Sequence, residues 1–217
     1  METIYWGIED NKRKAEDDVN LNDPKKRKLI IIDNSNKNIY TIGTEIHFTD
    51  SINKRTIETL IRAVTKLINK HHKEYEHSSD KLTITIVIDS PGGCVTSVLK
   101  WVDYVNRVKV KYPYVEFVSI TTGLSASAST VLACICCKRL STHHCVHMLH
   151  QISSGSRGKY TEMISYGKSL TDLHNMLIDI YMKRCKVTRS ELEEILKNET
   201  WLRSVEYLKL GLIDEII

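Results

Sequence analysis

Three short segments carry the residue types of acyl-transfer chemistry. Gly123-Leu124-Ser125-Ala126-Ser127-Ala128-Ser129-Thr130 sets serines among small residues, Ser90-Pro91-Gly92-Gly93 is a glycine turn, and His147-Met148-Leu149-His150-Gln151 contains a candidate base. A serine becomes nucleophilic near neutral pH when an imidazole takes its proton and backbone N–H groups receive the developing oxyanion. Ser127 offers the nucleophile, His150 the base and the glycine turn an oxyanion site. Alone, a Ser-Ala-Ser-Ala-Ser run is equally what close packing at a helix start would select. Its chemical reading rests on Gly93 and His150 arriving in register with it. On a helical path Ser125 and Ser129 point away from the direction of Ser127. Cys94, beside the glycine turn, has no base near it in sequence and reads as a packing thiol.

A second cluster invites a metal reading. Cys134, Cys136 and Cys137 precede His143, His144, Cys145 and His147. Their spacing lacks the paired two-residue gaps of structural zinc modules, so buried thiols on the helix after Ser127 are the expectation, with no metal and no cofactor.

To bring Ser127, His150 and Gly93 together, the chain must set strand ends side by side. Its 217 residues, 41% hydrophobic, suffice for one substantial core. Helical spacing of Ile52, Ile57, Leu60, Ile61, Val64, Leu67 and Ile68 predicts an amphipathic helix, with N-caps offered by Thr49-Asp50-Ser51. The polar stretch 70–81 reads as a loop. Runs 28–33, 38–43, 82–88, 115–121 and 145–149 read as strands, that at 82–88 as a buried one, and helices are predicted over 95–110, from Ser127 and over 160–185. Gly123 reads as a second glycine turn, ending its strand. Thr188-Arg189-Ser190-Glu191 resembles a capping box for a short helix. The order strand, turn, helix implies an α/β fold of repeated right-handed βαβ units, in which ligands sit at the carboxyl ends of the strands.

Residues 1–28 read as a flexible basic N-terminal arm, with residues 29–217 forming the folded domain. The arm's clusters Lys12-Arg13-Lys14 and Lys25-Lys26-Arg27-Lys28 resemble a bipartite nuclear signal, which would engage a nuclear import receptor. No apolar run approaches the roughly 18 residues of a membrane span, and the first residues lack a signal peptide's apolar core. A soluble, intracellular protein is expected, cytoplasmic or directed to the nucleus by that arm.

From Asn38 to Ile217 the chain resembles the ClpP family, the proteolytic subunits of Clp proteases, within the ClpP/crotonase superfamily. The resemblance is carried by Ser90-Pro91-Gly92-Gly93, by Gly123, Ala126 and Ser127, by Met148, His150 and Gln151, and by Glu206, Gly211, Leu212 and Asp214. It implies a ClpP-like fold with a protruding long helix as a ring-stacking handle. It further implies a serine endopeptidase acting on peptides or unfolded proteins inside stacked, heptameric homo-oligomeric rings. ATP would enter only through a separate Clp-type ATPase. Ser127 and His150 would be nucleophile and base, the Gly93 and Ala128 N–H groups the oxyanion hole, and Glu199 would stand where the family has its aspartate. Two other readings stay open: a catalytically inactive, structural ring subunit, and a crotonase-type acyl-CoA enzyme. The latter needs carboxylates near the glycine turns, where Asp89 is the sole acid.

Overall fold

A computed structural model of the chain describes residues 38–74 and 81–217. The arm, the strand predicted over 28–33 and part of the loop predicted over 70–81 lie outside those residues. The described chain opens as a hairpin: β1 (Ile39–Ile42) turns through Gly43 into antiparallel β2 (Glu45–Phe48). The polar Glu45 and His47 disguise β2 in the sequence, yet Ile46 and Phe48 are fully buried.

Helix α1 (Lys54–Glu74) buries the predicted stripe of Ile57, Leu60, Val64 and Leu67. Its cap differs from expectation. Asn53 Oδ1 accepts the N–H groups of Arg55 (2.9 Å) and Thr56 (3.0 Å), while Asp50 closes the turn before it by accepting from Ser51 N–H. The helix also runs into the stretch predicted as loop from Lys70. Its last turn, His71-His72-Lys73, places basic side chains where the helix dipole is negative.

There follow β3 (Leu82–Ser90), α2 (Val95–Lys111), β4 (Val115–Ala126), α3 (Ala128–Cys134), β5 (Lys138–Ser141), β6 (Val146–Leu149), α4 (Tyr160–Met182), α5 (Arg189–Lys197), β7 (Thr200–Arg203), α6 (Ser204–Lys209) and β8 (Glu215–Ile216). β2, β3, β4, β5 and β8 run parallel in that spatial order, with β1 antiparallel at one edge. β6 lies parallel to the end of β4, and β7 antiparallel to β6. This is a mixed α/β fold of the predicted class.

β3 is buried on one face only, against the reading of a fully buried strand: Leu82, Ile84, Ile86 and Ile88 point into the core while Thr83 and Asp89 are exposed. Inside, Trp101 of α2 is fully buried, meets Phe117 of β4 edge-on at 6.0 Å and donates its indole N–H to the Leu132 carbonyl at 3.3 Å. A large ring is thereby buried without an unsatisfied donor. At the far edge, buried Arg139 bonds the Asp214 carboxylate and the Gly211 carbonyl, tying the C-terminus to β5. Partial burial would raise the Asp214 pKa, but the Arg139 hydrogen bonds outweigh it and hold it below its usual value.

The feature that positions the site is a bulge in β4. Ile88 pairs with Thr121, but Ser90 pairs with Ser125, so two steps on β3 face four on β4. The extra residues surround Gly123 (φ 54°), and Asp89 Oδ1 accepts the Leu124 N–H at 3.0 Å. Gly123 therefore lies within the strand instead of ending it. Before the bulge, residues 118–121 pair with β5; after it, residues 124–126 pair with β6.

Candidate active site

Among the described residues, Ser127 is the one non-glycine residue at positive φ (55°, with ψ −126°). Such a conformation costs on the order of 1–3 kcal/mol and persists when its surroundings impose it. Here they do. The Ser127 N–H donates to the Met148 carbonyl at 2.8 Å, extending the β4–β6 ladder, while its carbonyl accepts from Thr130 N–H at 3.0 Å and Thr130 Oγ1 at 2.6 Å. A strand thus turns sharply into α3, leaving the Ser127 side chain at the corner.

The glycine turn presses on that corner. Gly92 adopts φ 87°, and a Cβ there would run into the Ala126 carbonyl and lie 2.8 Å from Ser127 Cβ. On its other side the turn is held by Ile52, whose N–H donates to the Gly92 carbonyl and whose carbonyl accepts from Cys94 N–H, both at 2.7 Å. The Gly93 N–H between them takes no acceptor among the described residues, nor does the Ala128 N–H at the start of α3. Both amides are free for a ligand oxygen beside Ser127.

His150 follows β6, and its Nε2 lies 2.7 Å from Ser127 Oγ. With the proton on Nδ1, Nε2 accepts from the serine hydroxyl, the arrangement a general base requires. The chain after it is pinned by Gln151 N–H donating to the Leu196 carbonyl at 2.6 Å. Ser127, His150, Gly93 and Ala128 line one cavity of about 70 Å³.

Glu199 does not join them directly. Its Oε1 accepts from Trp201 Nε1 at 3.2 Å, both residues are exposed, and among the described residues no acceptor bonds His150 Nδ1. Its backbone is nonetheless well sited: β7 pairs Trp201 with Met148 and Thr200 with Leu149, and one further step along that register brings Glu199 opposite His150.

The rest of the cavity comes from α3, α4 and α5, from Val95 of α2 and from Gln151, Ile152 and Ser153 after His150. His174, Leu177 and Tyr181 of α4 line it with Val131 and Leu196. The Tyr181 hydroxyl is taken by Thr130 Oγ1 at 2.6 Å. Leu177 and Tyr181 lie one turn apart on α4; His174 has no motif of its own, and its helical spacing from them is the sole signal that could have found it.

The cysteine and histidine cluster is dispersed. Cys134 closes α3 and Cys136 follows it, both buried, and burial pushes their thiols up to about 11 and about 12. Cys137 is exposed and outside α3, contrary to the expectation of three buried thiols on that helix. His147 is fully buried, stacks on Tyr207 at 3.9 Å and bonds Ser141 Oγ at 3.1 Å; burial lowers its pKa to about 4. No three His, Cys, Asp or Glu side chains among the described residues are grouped to hold a metal ion. Cys94 is exposed, not packed, and the Ser97 and Thr96 hydroxyls lower its thiol pKa.

Among known families, residues 36–217 match the one described as Clp protease. Over 139 residues the chain is 30% identical to the "ATP-dependent Clp protease proteolytic subunit 1" of Protochlamydia amoebophila (strain UWE25), covering 62% of this chain and 65% of that protein. The protein of the same name from Chlamydia trachomatis serovar A is 27% identical over 139 residues, covering 62% of this chain and 69% of its own length.

Proposed function

Because the chain belongs to the Clp protease family, we propose that it is a serine endopeptidase in which Ser127 attacks a peptide carbonyl. His150 takes the serine proton through Nε2 and delivers it to the leaving amine. The Gly93 and Ala128 N–H groups receive the oxyanion as the tetrahedral adduct forms, and water then hydrolyses the acyl-enzyme by the same steps. Glu199 completes the site by turning from Trp201 to the His150 Nδ1–H, where a carboxylate fixes the tautomer and steadies the imidazolium. Its extra methylene, relative to aspartate, gives it the reach.

The observation that carries this reading is the 2.7 Å contact between His150 Nε2 and Ser127 Oγ at a strained strand-to-helix corner. In the assembly proposed, the chain forms stacked rings, takes unfolded chains or peptides as substrates, and receives them from a Clp-type ATPase. The basic arm engages a nuclear import receptor. A fluorophosphonate should label the assembled wild type and not Ser127→Ala, and hydrolysis of a fluorogenic peptide should fall by about 10³-fold or more in either Ser127→Ala or His150→Ala. Full hydrolysis by Ser127→Ala would overturn the assignment.

One observation favours a second reading, a non-catalytic ring subunit: Glu199 is engaged by Trp201 and leaves His150 without an acid. An assembled wild type that takes no label would establish it. The acyl-CoA alternative loses support, since the carboxylate of Asp89 is committed to the Leu124 N–H in the bulge.

A further inference from the structure

His174 is one helical turn from Leu177 and nearly two from Tyr181, so the three occupy one stripe of α4, and all three line the cavity that opens at Ser127. Their chemistry differs along that stripe. At the deep end Tyr181 is buried and its hydroxyl is bonded to Thr130, so it presents a ring and no free polar atom. Leu177 continues the apolar wall, facing Val131 of α3 and Leu196 of α5 across the same cavity. His174 is half-buried at the other end, and its imidazole makes no hydrogen bond or ion pair with any described residue.

The cavity wall is therefore mixed: Val95, Val131, Leu177 and Leu196 supply its apolar part, while Gln151, Ser153 and His174 stand beside the Ser127–His150 pair, and of the two imidazoles His174 is the one whose hydrogen-bonding capacity is unspent. No carboxylate and no lysine or arginine lines it. Its volume of about 70 Å³, against the roughly 10–15 Å³ that one water needs by such a measure, accommodates a side chain of about five heavy atoms. Ala128, at the mouth, adds only a methyl group to the wall.

Resting on the peptidase reading, we infer that His174 is a specificity-determining residue, selecting substrates whose residue at the attacked carbonyl has a short aliphatic stem and an oxygen acceptor at its tip: glutamine or glutamate. The stem packs against Leu177 and Val131, and the oxygen accepts from the imidazole N–H. A leucine of similar size fills the same space but leaves His174 desolvated and unpaired, which is how a site built to bond a polar head rejects an apolar analogue.

The test uses fluorogenic peptides identical except for Gln, Glu or Leu at the attacked residue. Wild type should prefer Gln and Glu over Leu in kcat/KM. His174→Leu should lower that preference at least about fivefold by losing the polar substrates while retaining the Leu peptide. His174→Gln, which keeps a donor, should restore part of it. His174 has no hydrogen-bond or ion-pair partner among the described residues, so neither variant removes one, and unchanged thermal unfolding checks that the packing around it is kept. An unchanged preference in His174→Leu overturns the inference and leaves the peptidase reading intact. Binding of the same peptides to Ser127→Ala, followed by fluorescence anisotropy, separates the two ideas: discrimination that depends on residue 174 supports the subsite even if wild type hydrolyses nothing, and binding indifferent to residue 174 overturns it.

Discussion

At the scale of single residues, the site depends on two contacts that substitutions can isolate. Gly92 carries no side chain because the Ser127 corner occupies the space one would need. Gly92→Ala forces a residue into φ 87° and pushes the corner away; peptide hydrolysis should fall at least about 100-fold and stability by about 1–3 kcal/mol, read by activity and urea unfolding. The Glu199–Trp201 hydrogen bond competes with the bond proposed between Glu199 and His150. Glu199→Gln should therefore reduce kcat by about 100-fold with little effect on KM. Trp201→Phe keeps an aromatic ring but removes the donor, so its kcat/KM should rise, by up to about fivefold. If Glu199→Gln is as active as wild type, the carboxylate has no part in the site.

Among the elements, β4 decides the geometry. Its bulge, held by the bond from Leu124 N–H to Asp89, turns the strand from β5 toward β6 and so delivers Ser127 to the strand that precedes His150. Asp89→Ala leaves that amide without its acceptor. Because that bond is exposed to water, the substitution should cost about 0.5–1.5 kcal/mol in unfolding free energy and lower kcat; normal kcat in a destabilised variant would show that the corner holds without the bulge clamp. The long elements are legible in the sequence because their pattern extends over many residues, as in the stripe of α1 and the apolar, β-branched run Leu82 to Ile88, and the Thr188 to Glu191 box is legible too, its reciprocal bonds forming as read. β2, β5 and β7 are no shorter than β1 and β6, which are read as strands, but Glu45, Lys138, Arg139 and Arg203 break up their apolar residues, so over four positions no strand signal emerges. Ser127, His150 and Gly93 are legible because each ends or follows a recognisable strand. The side-chain direction of Glu199 is not, since it depends on a rotamer and on a neighbouring indole, and the place of Gly123 inside β4 is not, since pairing across two strands determines it.

For the molecule as a whole, a buried neutral histidine contributes to the loss of stability between neutral pH and about pH 4. His147 has its pKa lowered by burial from an ordinary 6.5 to about 4, so the unfolded chain binds a proton that the folded one refuses. Its contribution to stability is full above about pH 6.5, declines as the pH falls, and is lost through pH 4; the whole effect is about 3 kcal/mol. Urea unfolding at pH 7 and pH 4.5 should show most of that loss in wild type and a flatter profile in His147→Gln. If the two profiles are parallel, His147 is already charged in the folded state. The division of β4 between two partners also bears on synthesis. The Ser127 corner leans on β6, β6 on β7, and β5 on β8, whose last pairings join residue 141 to residue 216. A chain still emerging from the ribosome has its serine long before it has the strands that fix that serine's direction. The Ser127 corner is thus set only once β6 and β7, further along the chain, have been made, so the hydrolysis proposed for it would be withheld from a nascent chain that stops short of them.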